Sequence, residues 1–599
     1  MFALVLACTP AEPPADGAPT LDVSGSHVAY DAPGHGSAKL DATVFGEGTF
    51  AITLRLENGN IHPRVTAETD GTLRGAALTG SYEIAGKADA VIWRQGYQSW
   101  SWSGVTTLTT PALDGDGLPT VAGDGDIVTI SQETPWSSWW VGMVGRPQGS
   151  TFLMGAVSAK SMKFWTAFTD TEAWAVWGMR GESVAMLAGE TRELDAIWLS
   201  VGDSRIHESY GDRVNGRIAQ PPPVGWSDWY QYYGEATEVD IRANLTAAAA
   251  LSSALTPLQV FQVDDGWALG WGEWSTNADF PSGTAGLARD IAAAGYTPGL
   301  WMAPFYVSRD TATYLAHPDW WVRGPAGDEL RYGSLDGNDY AILDVTVADA
   351  ALWLHDEVQA KKTEGWDYLK LDFLFSGAVE GVRSQPVTGM EAYAIGMELL
   401  RDAVGDGWLL ACGAPMLPTV GYADSWRSGN DIAYISDPDP QLAYLRWEAR
   451  NTAARAFANG RWWWNDPDAV LVRGWDDRQT SGAVATAIVT GGSWFVGDAF
   501  SELAESQLTT ILDPELTALR GQRFVPVNAL NAVSGFDAGP FVEKSTPDDN
   551  VPVEWLAQDG THVYVNVSDL PVQIPPSGDD LLLGDGDDVL AAGEGEVRR

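Results

Sequence analysis

Between residues 21 and about 215, apolar and polar residues alternate in short runs broken by Gly, Asp and Pro. Thr49-Phe-Ala-Ile-Thr-Leu-Arg-Leu56 and Ile127-Val-Thr-Ile130 are examples, and helical spacing is scarce. A period of two places alternate side chains on one face of a strand, so this stretch predicts a large antiparallel β-sandwich. From about residue 222 the rhythm changes. Near-continuous apolar runs alternate with helical stretches, as expected of a parallel sheet covered on its outer face. Leu258-Gln-Val-Phe-Gln-Val-Asp-Asp265 reads as a buried strand ending in two acids, with a helix near 286–294. Residues 297–305, 366–373 and 408–413 read as further strands, 440–459 as a helix, and 493–498 as the strand that closes a (β/α)8 barrel. Short β runs such as Val563-Tyr-Val-Asn-Val567 return after about 523. The expected architecture is multidomain. A leader and tether (1–20) precede an N-terminal antiparallel β-sandwich (21–220). A central (β/α)8 TIM barrel (221–522) and a small C-terminal β-sandwich (523–599) follow.

Composition narrows the function. Hydrophobic residues make up 45% of the 599, enough for packed cores and too many for a disordered chain. The 29 Trp are conspicuous. Indoles bury large flat faces, and core packing accounts for most of them, but the same faces stack on sugar rings. The net charge of −44 leaves no basic patch for phosphates, which argues against nucleic acid and anionic membrane surfaces as partners. Salt would screen the self-repulsion of such a chain, so a saline or extracellular habitat is expected. The two Cys, Cys8 and Cys412, lie in unlike contexts and predict no disulfide framework. The seven His show no zinc-hydrolase spacing, and no metal or organic cofactor is expected. Met-Phe-Ala-Leu-Val-Leu-Ala-Cys8, followed by a Pro/Ala-rich stretch, is similar to a bacterial lipoprotein start. Its apolar run is short and lacks a basic flank. Export with a lipid anchor at Cys8 is the expected localisation, and the only expected membrane contact. The acidic segment 584–590 is read as a solvated turn rather than a calcium loop.

Several apolar runs end in acids or reactive residues: Asp264 and Asp265, Asp372, Cys412 and Asp431. In a parallel barrel such ends converge on one face, where active sites form. In Tyr368-Leu-Lys-Leu-Asp372 the residues two apart share a face, so Lys370 points with Asp372. The ammonium would keep a nucleophilic carboxylate ionised; a structural ion pair is the other reading. In Trp426-Arg-Ser-Gly-Asn-Asp431 a turn would bring Arg427 to Asp431. Asp431 would then be an acid catalyst raised by burial and by the other carboxylate, or a loop acid held in an ion pair.

These motifs resemble the α-galactosidases of glycoside hydrolase family 36. The resemblance runs through Gly225-Trp-Ser-Asp-Trp-Tyr230, Val263-Asp-Asp-Gly-Trp267, Pro298-Gly-Leu-Trp-Met-Ala-Pro-Phe305 and His317-Pro-Asp-Trp320. It continues through Leu369-Lys-Leu-Asp-Phe-Leu-Phe-Ser-Gly-Ala378, Ala411-Cys-Gly-Ala-Pro415, 427–431 and Trp464-Asn-Asp-Pro-Asp468. It implies a retaining, exo-acting α-galactosidase with Asp372 as nucleophile and Asp431 as general acid/base. It also implies that Asp264 and Asp265 bind the axial 4-hydroxyl and the 6-hydroxyl of galactose. Lys370, Cys412 and Arg427 would line the sugar site, and Trp229, Tyr230 and Trp301 would form its apolar walls. Trp100, in Arg94-Gln-Gly-Tyr-Gln-Ser-Trp100, would reach over the barrel mouth. Retention implies carboxyl groups about 5–5.5 Å apart. The family often has Pro where this chain has Asn430, which keeps an α-N-acetylgalactosaminidase in view; Cys412 argues for a plain 2-hydroxyl. A raffinose-type transglycosylase would share every catalytic residue. A non-catalytic carbohydrate-binding lipoprotein is disfavoured by the presence of both acids together with Lys370 and Arg427.

Overall fold

The computed structural model describes residues 18–86, 89–115, 117–119, 136–146, 149–178, 182–330, 332–335, 338–533, 550–576 and 580–599. Cys8 with most of the leader, and the run 127–130, lie outside the described residues.

Between Thr20 and Gly202 the described strands form two eight-stranded antiparallel sheets. Alternation does what the pattern predicts in Asn60–Ala67, where Ile61, Pro63, Val65 and Ala67 point inward. Large aromatic residues fill the space between the sheets: Tyr82 stacks on Phe152 at 5.2 Å, and Trp139, Trp140 and Trp177 are buried. The alternating run at 49–56 is a strand, Phe50–Glu57, but it pairs along one side only, and Leu56 stays 42% exposed. Its pattern is that of an edge strand rather than a core strand.

The central sheet is parallel throughout and has eight strands: β1 (Val224–Ser227), β2 (Val260–Val263), β3 (Thr297–Met302), β4 (Tyr368–Leu371), β5 (Trp408–Ala411), β6 (Ser425–Arg427), β7 (Trp464–Asp466) and β8 (Trp494–Val496). They neighbour one another in chain order, and β8 returns to pair with β1. Ser493 N donates to Asn465 O at 3.0 Å across the remaining seam, so the barrel is nearly closed. Six longer helices accompany it among the described residues: α1 (Glu238–Ala249), α2 (Gly283–Ala293), α3 (Ala348–Glu364), α4 (Gly389–Val404), α5 (Leu442–Arg455) and α6 (Asp477–Thr490). Reciprocal caps start α1 (Thr237 with Asp240), α4 (Thr388 with Glu391) and α6 (Asp476 with Gln479), each satisfying N–H groups the helix leaves open. Helix α5 begins two residues past Pro440 and ends at Arg455, shorter at both ends than the expected 440–459.

Beyond the barrel, five antiparallel strands between Phe524 and Arg598 form a small sheet, with a two-stranded ribbon beside it. Residues 584–588 form an exposed acidic loop, as read from the sequence. No helix among the described residues is long and apolar enough to cross a membrane.

Candidate active site

Strands β2 to β7 deliver their terminal residues to one end of the barrel, and the acids found in the sequence meet there. Asp372 follows β4 directly. Its Oδ2 accepts from Trp301 Nε1 at 3.2 Å, and its Oδ1 from Phe373 N at 2.6 Å. Phe373 adopts left-handed backbone (φ 52°), which turns its N–H back onto the carboxylate. Non-glycine residues held this way concentrate at functional sites. Trp301, expected as an apolar wall, is thus also a donor that orients the candidate nucleophile.

Lys370 has a hydrogen-bond partner that the sequence reading did not name. Its ammonium does not bond to Asp372 but to Asp264 Oδ2, at 2.8 Å, with both side chains buried. Burial opposes the Lys370 charge, but the Asp264 carboxylate outweighs it and holds the pKa above the usual value. Strand register explains the partner. Val263 pairs with Leu300 and Trp301 with Lys370, which places Asp264 and Lys370 at one level on alternate strands, as barrel layers are built. Gln262 Nε2 also donates to Asp264 Oδ2, at 2.7 Å, and Asp264 N donates to Asp228 Oδ1 at 2.7 Å. Burial, with the Asp264 charge beside it, pushes Asp228 well above the usual carboxylate range. Asp265 accepts from Gly266 N and, through both oxygens, from Trp271 Nε1. Burial raises its pKa to about 7 against those hydrogen bonds, and the charges of Asp264 and Asp372 add to the rise.

Arg427 closes β6 and is the cationic centre of the other half of the site. Its Nη1 lies 2.9 Å from Asp431 Oδ1, its Nη2 2.9 Å from Asp468 Oδ1, and its Nε 3.4 Å from Asp466 Oδ2. A planar fork can serve three carboxylates at once. Asp466 ends β7, and Asp468 follows in left-handed backbone (φ 79°). Asp431 is a third exposed, whereas Arg427 is buried. Burial raises the Asp431 pKa; Arg427 pulls it down, the Asp372 charge pushes it up, Lys370 pulls it down, and the net direction is up. The two candidate catalytic acids therefore sense each other's charge. Cys412, a fully buried free thiol after β5, sits within the fields of Arg427, Asp372, Lys370 and Asp431, and burial keeps it protonated.

Tyr230 is a second refinement. It is buried, and its hydroxyl donates to Asp468 Oδ2, so it supports the Arg427 cluster as well as lining the barrel. Trp229 stays half-buried, edge-on to Tyr233 at 5.4 Å. Trp100 reaches the barrel end from the N-terminal sheets. Its ring meets Phe373 at 5.3 Å and Phe375 at 5.9 Å, both edge-on. Gly413 (φ 53°) lies beneath it, where a Cβ would press within 3.1 Å of both the Trp100 ring and the Phe373 backbone. Arg455 fastens the Trp100 loop. It donates to the carbonyls of Ser99 (2.5 Å), Gln98 (2.9 Å), Ser101 (3.1 Å) and, on the barrel side, Ser428 (2.6 Å).

The chain is similar to known α-galactosidases. The Melibiase family profile matches residues 204–385. That span holds Asp264, Asp265, Trp301, Lys370 and Asp372. The barrel segment matches the melibiase family. The α-galactosidase AgaA of Geobacillus stearothermophilus is 26% identical over 150 residues, which cover 23% of this chain and 20% of that protein. The Escherichia coli α-galactosidase is 25% identical over 259 residues, covering 39% of this chain and 34% of its own length. The aligned stretches thus span well under half of these curated relatives. Among solved structures, the Thermus thermophilus α-galactosidase TtGalA in complex with stachyose superposes with a TM-score of 0.61 at 26% identity, covering 83% of this chain and 99% of that one. The family 36 structure of AgaA shares the fold at 14% identity with a TM-score of 0.59, covering 96% and 80%. The resemblance to family 36 drawn from the motifs is supported by these relatives.

The melibiase segment stops before Arg427 and Asp431, so the half of the candidate site around them rests on geometry. Reading the sequence also left several participants without a role. Asp228, Asp466 and Asp468 lie inside motifs that were quoted as signatures, and their position after barrel strands was the available signal. Trp271 sits in the turn of a hairpin (Ala268–Gly270 with Glu273–Thr276), where sequence gives no hint that it folds onto Asp265.

Proposed function

We propose that this protein is a retaining, exo-acting α-galactosidase that removes terminal α-linked galactose from oligosaccharides and simple galactosides. The observation that carries this reading is the pairing of two unlike carboxyl groups. Asp372 is held by two N–H donors, while Asp431 is raised by burial and by the charge of Asp372. An acid catalyst must hold its proton, and the surroundings of Asp431 favour that. The relatives supply the substrate class: the Thermus protein was solved with stachyose, and an AgaA variant with raffinose.

The reaction follows from the charges. Asp431 protonates the glycosidic oxygen while the Asp372 carboxylate attacks the anomeric carbon, giving a β-linked ester. Ester formation neutralises Asp372. The repulsion that raised Asp431 disappears, its pKa falls, and it can take a proton from water. The water oxygen attacks from the α face, and α-galactose leaves with Asp372 restored. Asp264 and Asp265 accept hydrogen bonds from the sugar hydroxyls, and an epimer that left them unpaired would be rejected. Cys412, by its resemblance to the family's galactosidases, supports a plain 2-hydroxyl.

The test is hydrolysis of an aryl α-galactoside beside the matching α-glucoside and α-N-acetylgalactosaminide, with the first-formed sugar read by proton NMR. α-Galactose should appear first; β-galactose appearing first would overturn the double displacement. A further expectation concerns Asp265. A charged carboxylate is the stronger acceptor for a sugar hydroxyl. Galactose affinity, measured by calorimetry, should therefore rise as pH is raised through about 7, where Asp265 loses its proton. The Asp265→Asn variant should show weaker affinity and no such rise.

A further inference from the structure

Asp431 is carried by Ser428-Gly429-Asn430, a short segment leaving β6, and Glu448 of helix α5 lies directly against it. Glu448 is 1% exposed. Its Oε1 accepts from Ser428 Oγ and from Thr452 Oγ1, each at 2.8 Å. Its Oε2 has no hydrogen-bond partner among the described residues. That oxygen occupies the place a side chain at residue 429 would need: a methyl group on Gly429 would overlap it. Ser428 is fixed in other ways too. Its N donates to Asp466 O at 2.8 Å, and its O accepts from Arg455 at 2.6 Å. A carboxyl buried with one bare oxygen is costly, and such a group calls for an explanation. Burial, against the pull of its hydroxyl donors and of Arg427 and Arg455, raises Glu448 to about 7.

We infer that Glu448 is a positioning residue for the acid/base: it seats the 428–429 segment on helix α5 and so sets where the Asp431 carboxyl meets the leaving-group oxygen. It touches neither sugar nor aglycone. The inference rests on the galactosidase reading above. Three features support it. The contact is to the segment between Arg427 and Asp431, the residue opposite is the one that lacks a side chain, and the Ser428 hydroxyl donates to the carboxyl at 2.8 Å, nearer than its other acceptor, Asp466 O at 3.1 Å.

Leaving groups separate a misplaced acid from general damage. An alkyl galactoside or raffinose needs its leaving oxygen protonated; 2,4-dinitrophenolate does not. In Glu448→Ala, turnover of raffinose should fall by about 30-fold or more, while kcat/KM for 2,4-dinitrophenyl α-galactoside changes by less than about 3-fold, acid catalysis being worth about 10²–10⁴. Azide should speed turnover of the dinitrophenyl substrate and yield α-galactosyl azide, because the water-activating base is displaced. Glu448→Gln, which keeps shape and an acceptor for Ser428 and Thr452, should recover most of the raffinose activity. Ser428→Ala, a milder change that leaves the backbone bonds in place, should show the same selectivity to a smaller degree and covers the case in which Glu448→Ala fails to fold. Equal losses on both substrates, or an unchanged ratio in both Glu448→Gln and Ser428→Ala with Glu448→Gln no better than Ala, would overturn the inference. Wild-type protein inactive on both substrates would overturn the galactosidase reading itself.

Discussion

Asp372→Ala should lower turnover of an aryl α-galactoside by about 10⁴-fold or more, roughly 5.5 kcal/mol of lost transition-state stabilisation. The side chain follows a barrel strand and, among the described residues, accepts from Trp301 Nε1 and Phe373 N alone, so the loss is expected in activity rather than in folding. Two further readings tie the loss to the nucleophile. Azide admitted to the vacated space should attack from the β face and give β-galactosyl azide; the α-azide would move the nucleophilic role elsewhere. The Asp372 charge is among the influences that raise Asp431. Without it Asp431 ionises at lower pH, and the basic limb of the remaining activity should move to lower pH. Residual turnover within tenfold of the parent would remove Asp372 from the mechanism.

Arg427→Met should be the most damaging single change to stability. The guanidinium contacts Asp431, Asp466 and Asp468, two of them buried with it. Removing the charge leaves those carboxyls without their nearest cation, at a cost of about 3–5 kcal/mol. The cost has a definite pH dependence. Arg427 lowers the pKa of all three acids, so its loss moves their folded-state values further above the unfolded ones. An acid whose folded pKa is raised contributes stability at low pH and loses it as pH rises through that value. For Asp468 that value is already about 8 with Arg427 present. The thermal midpoint of Arg427→Met should therefore lie closer to the parent near pH 5 than near pH 8. Arg427→Lys should rescue it only in part, because a point charge cannot replace a fork that reaches three partners. A midpoint deficit that is the same at both pH values would show that the three acids are not held by this charge.

The barrel was legible because its strands are near-continuous apolar runs that stop at polar residues. Val260–Val263 ends at Asp264, and Tyr368–Leu371 ends at Asp372. Period-two reasoning correctly turned Lys370 inward but paired it with its own strand neighbour. The partner comes instead from β2, because register across three strands, which no local pattern carries, places Asp264 at the same level. Asp466 closes a strand of only three residues, Trp464–Asp466, too short for alternation to mark a face. Glu448 is an acid in mid-helix, a position that usually faces water; only the tertiary fold reveals that it lies under Gly429. The family resemblance implied aromatic walls at Tyr230 and Trp301; in the fold the polar ends of their rings find partners in Asp468 and Asp372 from distant strands. Chain-local signals marked the candidate residues, and the long-range contacts among them came only with the fold.

Arg455 has one hydrogen-bonded carbonyl in the barrel and three in the segment 98–101 that precedes it by some 350 positions. The barrel is therefore not a portable module. Cut free of its N-terminal sheets, or transplanted without that short loop, it would carry a buried cation facing a hole beside the very strand end that bears Asp431. Any attempt to trim or shuffle this scaffold has to move the two pieces as one.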